Sequence, residues 1–287
     1  MGPAIRGSRV EPERTTRGAV YASAKRQLVR NRRPTRLGVL AIVLLAAVVA
    51  VVVQQVIAMV NRPLLADNFD QADGLITNEF AYFNPGNRAA VRSPTWIVTS
   101  GSLFAQDHAA WTGVPDRGDP GPRSAGVTDS NVFRAVTRRA DFQDVTVSFS
   151  LLVQRFMTLA GGPGFQGVHV FLRYQRPDLL YVLSVDRRDG VIVIKKKVPG
   201  GPSAGGTYYT LAMVHGQAVT GRWEQVRASA VNIGEGVELD VWLNGRLRLK
   251  ALDNGVGDTP PIVQPGRVGV RGDYTEFKFD DFTVRKG

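Results

Sequence analysis

Between Leu37 and Val60 the chain runs for 24 residues without a charged side chain, broken only by Gln54-Gln55 in its outer third. As a helix this segment reaches about 36 Å, enough to span a hydrocarbon core of about 30 Å with some tilt. Its Val and Ile content makes it a poor helix former in water, but lipid offers the backbone no other hydrogen-bond partner. The rival reading, a buried core helix, fits neither the length nor the strongly basic flank. The spacing therefore predicts one transmembrane segment over 37–60.

Charge sets its orientation. Residues 1–60 carry ten Lys or Arg and two Glu, whereas residues 61–287 carry 26 basic and 23 acidic groups. Basic groups before the span and few after it place the N-terminus in the cytoplasm and the remainder outside. A cleaved signal peptide would have an apolar stretch of only about 7–15 residues, and Pro34-Thr35-Arg36 is a poor continuation of a twin-arginine signal. The expected organisation is a disordered basic tail over 1–36, a signal anchor over 37–60 and an extracytoplasmic domain over 61–287. The net charge of +11 belongs mainly to the tail, so it is no argument for nucleic-acid binding.

The absence of Cys removes disulfide scaffolds, thiolate metal sites and cysteine nucleophiles. His108, His169 and His215 stand too far apart in sequence for helical metal-ligand spacing.

From Leu64 onward no helical stripe recurs. Strand patterns follow one another instead, separated by Gly, Pro, Asn and Asp. In 145–153, Val145, Val147, Phe149, Leu151 and Val153 share one face while Thr146, Ser148 and Ser150 share the other, as in an antiparallel sheet with one buried side. About fourteen such segments predict an all-β domain, a two-sheet antiparallel jelly-roll sandwich, with long connections at 113–131, 199–206 and 253–265. No internal repeat or second domain is evident. A three-residue loop at 243–245 keeps the hairpin faces separate, pairing Val241 with Leu247 and Leu239 with Leu249, and setting Asp240 opposite Arg248 and Glu238 opposite Lys250.

The closing segments Gly266-Arg-Val-Gly-Val-Arg271 and Phe279-Asp-Asp-Phe-Thr-Val284, the opening Asp67-Asn-Phe-Asp70 and the Val241-x-Leu-Asn-Gly245 turn together resemble concanavalin A-like lectin/glucanase jelly rolls, which include laminin-G-like domains. The resemblance covers about residues 64–287. It implies a jelly roll whose first and last strands pair, and it leaves function open among lectins, glycosidases, polysaccharide lyases and adhesion modules.

Catalytic signatures are incomplete. Glu238-Leu-Asp240 is similar to the first half of a laminarinase-type Glu-x-Asp-x-x-Glu strand, but Leu243 stands where the second glutamate belongs, and retention needs two carboxylates. A better surface combines His169, Phe171 and Arg173 on one strand with Ser184 and Asp186 on the next and Lys195 and Lys197 on a third. Cations pair with carboxylates and rings stack on sugars, so this face suits an anionic ligand. Trp111, beside the 113–131 connection, is a further sugar platform. With Tyr174 or Tyr181, the His and Arg types would also serve β-elimination on a uronate. Asp67, Asp70, Asp280 and Asp281 meet where the first and last strands pair, and their oxygens suit Ca²⁺, although turn and edge roles account for them as well.

The reading is a membrane-anchored extracytoplasmic module binding a glycan or cell-surface polymer without evident catalysis, requiring no cofactor and no nucleic acid. The alternative is a polysaccharide lyase or glycoside hydrolase acting on an acidic glycan.

Overall fold

The computed structural model describes residues 36–60, 62–79, 90–114, 131–157 and 164–287. The basic tail up to residue 35 and most of the 113–131 connection lie outside the described residues.

Residues 36–60 form one helix, α1 (Arg36–Val60, 25 residues), over the segment where a span was predicted. Its side chains are described at Leu40 and at 43–55, and every one of them is exposed. Among the described residues no helix is long and apolar enough to cross a membrane.

The remainder is all-β. In chain order the strands are β1 (Leu65–Asp67), β2 (Gly74–Thr77), β3 (Trp96–Ser100), β4 (Leu103–Ala105), β5 (Ala110–Trp111) and β6 (Val132–Thr137). Then come β7 (Val145–Phe156), β8 (Gly167–Arg176), β9 (Leu179–Arg187), β10 (Val191–Ser203) and β11 (Gly206–His215). The last five are β12 (Trp223–Ile233), β13 (Gly236–Leu243), β14 (Arg246–Asp253), β15 (Arg267–Asp273) and β16 (Thr275–Lys286). One antiparallel sheet has the order β14-β13-β12-β7-β16-β5-β4-β2, with β1 also on β16, and the other β11-β10-β9-β8-β15-β6-β3. The expected pairing of first and last strands is present, with Leu65 opposite Val284 and Asp67 opposite Phe282.

The two sheets bury one continuous core. β7 supplies Val145, Val147, Phe149, Leu151 and Val153, the predicted face, with each side chain at most 2% exposed. Facing residues include Val168, Val170 and Leu172 from β8 and Val268 and Val270 from β15. Phe69, Trp96, Phe149, Phe279 and Phe282 form an aromatic knot, in which Trp96 meets Phe282 edge-on with centroids 4.9 Å apart. Fully burying one such ring contributes about 1.5–3 kcal/mol.

Two expectations need correction. The β13–β14 turn has two residues: Asn244 and Gly245 both take positive φ (50° and 77°), and Leu243 pairs with Arg246. A bulge between Val241 and Trp242 in the ladder then restores the faces, so Val241 meets Leu249 and Asp240 meets Lys250. The extra residue of a bulge does what the longer loop was invoked to do. The connection at 199–206 is likewise mostly strand, because β10 runs to Ser203 and turns directly into β11.

Candidate functional site: a cationic pocket on the seven-stranded sheet

Alternation along the strands sends His169 of β8, Val182 and Ser184 of β9, Lys195 and Lys197 of β10, Arg134 of β6 and Arg271 of β15 to the side of the seven-stranded sheet that faces away from the core. These residues, with Phe165, Arg187, Ser203, Ala204 and Tyr208, line a pocket of about 360 Å³. Five of the lining side chains are cationic and none is a carboxylate.

The floor is polar and tightly built. His169 stands directly opposite Ser184 in the β8–β9 ladder, and its Nδ1 is 2.8 Å from Ser184 Oγ. Its Nε2 lies 3.2 Å from Asp273 Oδ2, within ion-pair distance though outside hydrogen-bond geometry. Arg271 donates from Nε to the other oxygen, Asp273 Oδ1, at 2.7 Å. Burial lowers the His169 pKa below the ordinary imidazole value despite the neighbouring Asp273. Burial acts to raise the Asp273 carboxyl, but Arg271 and His169 overcome it and hold Asp273 below the usual carboxylate range.

The walls are cations on an apolar skirt. Lys195 and Lys197 approach the Tyr208 ring, with Nζ 5.8 and 5.0 Å from its centroid. Lys197 also donates to Pro177 O at 2.7 Å. Burial, then Arg271 and Arg134, push the Lys197 pKa down to about 8. Lys195 is lowered by burial and by Arg187, and Arg134 by burial and Arg271. Beside the pocket, Val136, Phe171, Tyr174, Leu180 and Val182 form a second, smaller apolar cluster. The stems of long cationic side chains suit such a surface while their heads stay polar.

The predicted site divides accordingly. His169, Ser184, Lys195 and Lys197 are brought together. Phe171 lies on the expected side but is only 2% exposed, stacked on Tyr174 at 5.7 Å, so it is no sugar platform. Arg173 has left the face. It takes φ +51° at a break in the ladder with β15, turns inward and is fully buried. There it donates to Gln143 O, Ile262 O, Asp144 Oδ1 and Asn232 Oδ1 at 2.7–3.1 Å. The same break carries Tyr174 to the His169 side, whereas Tyr181 stays in the core with its hydroxyl donating to Asp253. Asp186 is displaced by a bulge between Val168 and His169, which pairs Asp186 with Val168 instead of leaving it beside Ser184. It accepts from Val219 N at 3.1 Å, and burial, reinforced by nearby Glu224, pushes it up to about 7.

The remaining candidates fall elsewhere. Trp111 belongs to the other sheet, where its Nε1 donates to Glu276 Oε1 at 3.2 Å and its ring leans on Phe104. Asp280 is raised by burial and by Asp281, Asp70 and Asp67, so the four carboxylates do share one neighbourhood. Asp67 is already engaged, accepting from Trp96 Nε1 and from Phe69 N. Among the described residues no three acidic or His side chains are placed to hold a metal ion, and Asp67, Asp70, Asp280 and Asp281 share a neighbourhood without forming such a group. Glu238 and Asp240 both contact Lys250 Nζ, at 2.8 and 3.5 Å, as a surface charge cluster.

Arg134, Arg187, Tyr208, Arg271 and Asp273 were not singled out by sequence reasoning. Arg271 enters the sequence reading only through the closing segment Gly266–Arg271, and Asp273 two residues further on does not enter it. Their i, i+2 spacing in a strand, which puts both charges on one face, was the available signal.

No family model and no curated protein matches this sequence. Among solved structures the chain is similar to carbohydrate-binding module CBM66 from Bacillus subtilis, with 12% identity and a TM-score of 0.46 over 66% of this chain and 94% of that one. It is similar to an endo-1,3-β-glucanase from Streptomyces sioyaensis, with 12% identity and a TM-score of 0.47 over 78% and 95%. It is also similar to the catalytic domain of an endo-1,3-β-glucanase (laminarinase) from Thermotoga petrophila, with 9% identity and a TM-score of 0.48 over 78% and 97%.

Proposed function

We propose that the β-domain is a binding module for an anionic saccharide, held at a membrane surface by the helix Arg36–Val60 with the domain on the extracytoplasmic side. The observation that carries the ligand class is the pocket lining: five cations, the His169 imidazole and the Tyr208 ring, with no carboxylate among them. Arg134, Lys195 and Lys197 form no ion pair within 4 Å among the described residues, so they are available to a carboxylate or sulfate on the ligand. A ring beside ammonium groups suits the apolar face of a sugar next to its acidic substituent. The anchor rests on sequence, the uncharged run 37–60 and the basic segment before it.

Retention of the full chain on an immobilised acidic polysaccharide, against a neutral one, tests the ligand class. Wild type is retained on the acidic matrix alone, and Lys195→Ala with Arg134→Gln removes retention without changing the melting temperature. Equal retention on both matrices refutes an anionic ligand. For the anchor, protease added to intact cells cuts after residue 64 and spares epitopes before residue 36; the reverse pattern refutes the topology.

A further inference from the structure

We propose that Ser184, His169 and Asp273 form a nucleophile, base and orienting group, and that the pocket they border hydrolyses an ester bond of a small acylated ligand. This goes beyond saccharide binding and does not depend on it. Three strands bring the groups together: Ser184 from β9, His169 directly opposite on β8, and Asp273 at the end of β15. Ser184 Oγ and His169 Nδ1 are 2.8 Å apart, and His169 Nε2 and Asp273 Oδ2 are 3.2 Å apart. The Ser184–His169 contact is at hydrogen-bond distance, and the His169–Asp273 contact is an ion-pair approach outside hydrogen-bond geometry that substrate would have to tighten.

The order of contacts also fixes the proton. An ionised Asp273 beside Nε2 favours the tautomer protonated there, which leaves Nδ1 as the acceptor for the Ser184 hydroxyl. Both His169 and Ser184 line a cavity of about 360 Å³, large enough for a small ligand.

The reaction balances with water as the only co-reactant. Ser184 Oγ attacks the ester carbonyl carbon while its proton passes to His169 Nδ1. The carbon–oxygen bond of the ester breaks, and the alcohol leaves with that proton. Water then loses a proton to His169 and attacks the acyl-serine carbonyl. The carboxylic acid departs, and the proton returns to Ser184 Oγ. Lys195, which lines the same pocket, is the cation available to the oxyanion formed in each half, while Arg187 is held by Asp189.

The charged groups around the ring are Asp273 and Arg271 of β15 and Arg187 of β9, with Lys195 and Lys197 of β10 and Arg134 of β6 on the pocket walls. A fluorophosphonate probe and p-nitrophenyl acetate, applied to the full chain, test the proposal. Wild type is labelled once, on the peptide containing Ser184, and turns over the ester. Ser184→Ala loses both signals, and His169→Gln slows labelling at least 100-fold. The labelling rate rises with pH through an inflection below the ordinary histidine value. Asp273→Asn moves that inflection lower still, a shift that simple loss of packing would not give. A cooperatively melting wild type that stays unlabelled, labelling that persists in Ser184→Ala, or a His169→Gln rate equal to wild type overturns the proposal. Retention of the wild type on the acidic polysaccharide, measured alongside labelling, separates failure here from failure of the binding reading, since a retained but unlabelled wild type overturns only this proposal.

Discussion

Replacing Asp186 with Asn should stabilise the β-domain, and the gain should grow with pH. Asp186 is buried and accepts from Val219 N, and its pKa is pushed from 3.8 to about 7. A carboxyl whose folded value is raised binds more protons folded than unfolded, so stability is greatest below pH 3.8 and falls as pH rises toward 7. Above pH 7 the loss levels off. Its ceiling is the shift of about three units at 1.36 kcal/mol each, or about 4 kcal/mol. Linkage gives a loss of about 2 kcal/mol by pH 5 and about 4 kcal/mol by pH 8. Asn keeps an acceptor for Val219 N and never ionises, so it escapes this loss. Urea unfolding of both proteins at pH 5 and pH 8 measures the difference. A gap that is the same at both pH values, or an Asn variant less stable than wild type at pH 8, refutes the reasoning.

Arg173→Ala should cost about 3–5 kcal/mol in urea unfolding, because it removes a fully buried cation and strands the four acceptors it serves; a neutral effect would return Arg173 to the surface. Lys196 Nζ lies 3.1 Å from Asp253 Oδ2, with both side chains wholly buried. Lys196→Met alone should therefore destabilise by a similar amount, and the added change Asp253→Leu should recover part of the loss in the same assay. Saccharide retention should decline as pH rises through about 8, where Lys197 loses its charge; retention unchanged to pH 10 would remove Lys197 from the binding surface.

Much of the sandwich was legible because alternation survives in long central strands. β7 reads correctly from Val145 to Val153. The pairing of first and last strands also followed from the closing motifs. What failed failed at bulges. One extra residue inverts every later side chain, and nothing in Leu172-Arg173-Tyr174 or Ser184-Val185-Asp186 announces one. That is why Arg173 and Asp186 are read from sequence onto a face they do not share. The two-residue turn at Asn244-Gly245 was rejected for the same reason, since the bulge that rescues it is invisible in sequence. β1 and β5, at three and two residues, are too short to carry a period. The cationic pocket was half legible: Lys195 and Lys197 follow from alternation, but Arg134, Tyr208 and Arg271 come from strands that become neighbours only through the sheet order β11-β10-β9-β8-β15-β6.

The central claim is that this pocket binds an anion, and calorimetric titration of a short uronic-acid oligomer into the full chain tests it most directly. Two salt concentrations, about 50 and 200 mM, and the pair of changes Lys195→Ala and Arg134→Gln complete the experiment. Charge-assisted contacts are worth about 1.5 kcal/mol or more each, so losing both should weaken binding at least tenfold. Screening should weaken the wild-type complex at the higher salt. An affinity that ignores both salt and the two substitutions would contradict the assignment.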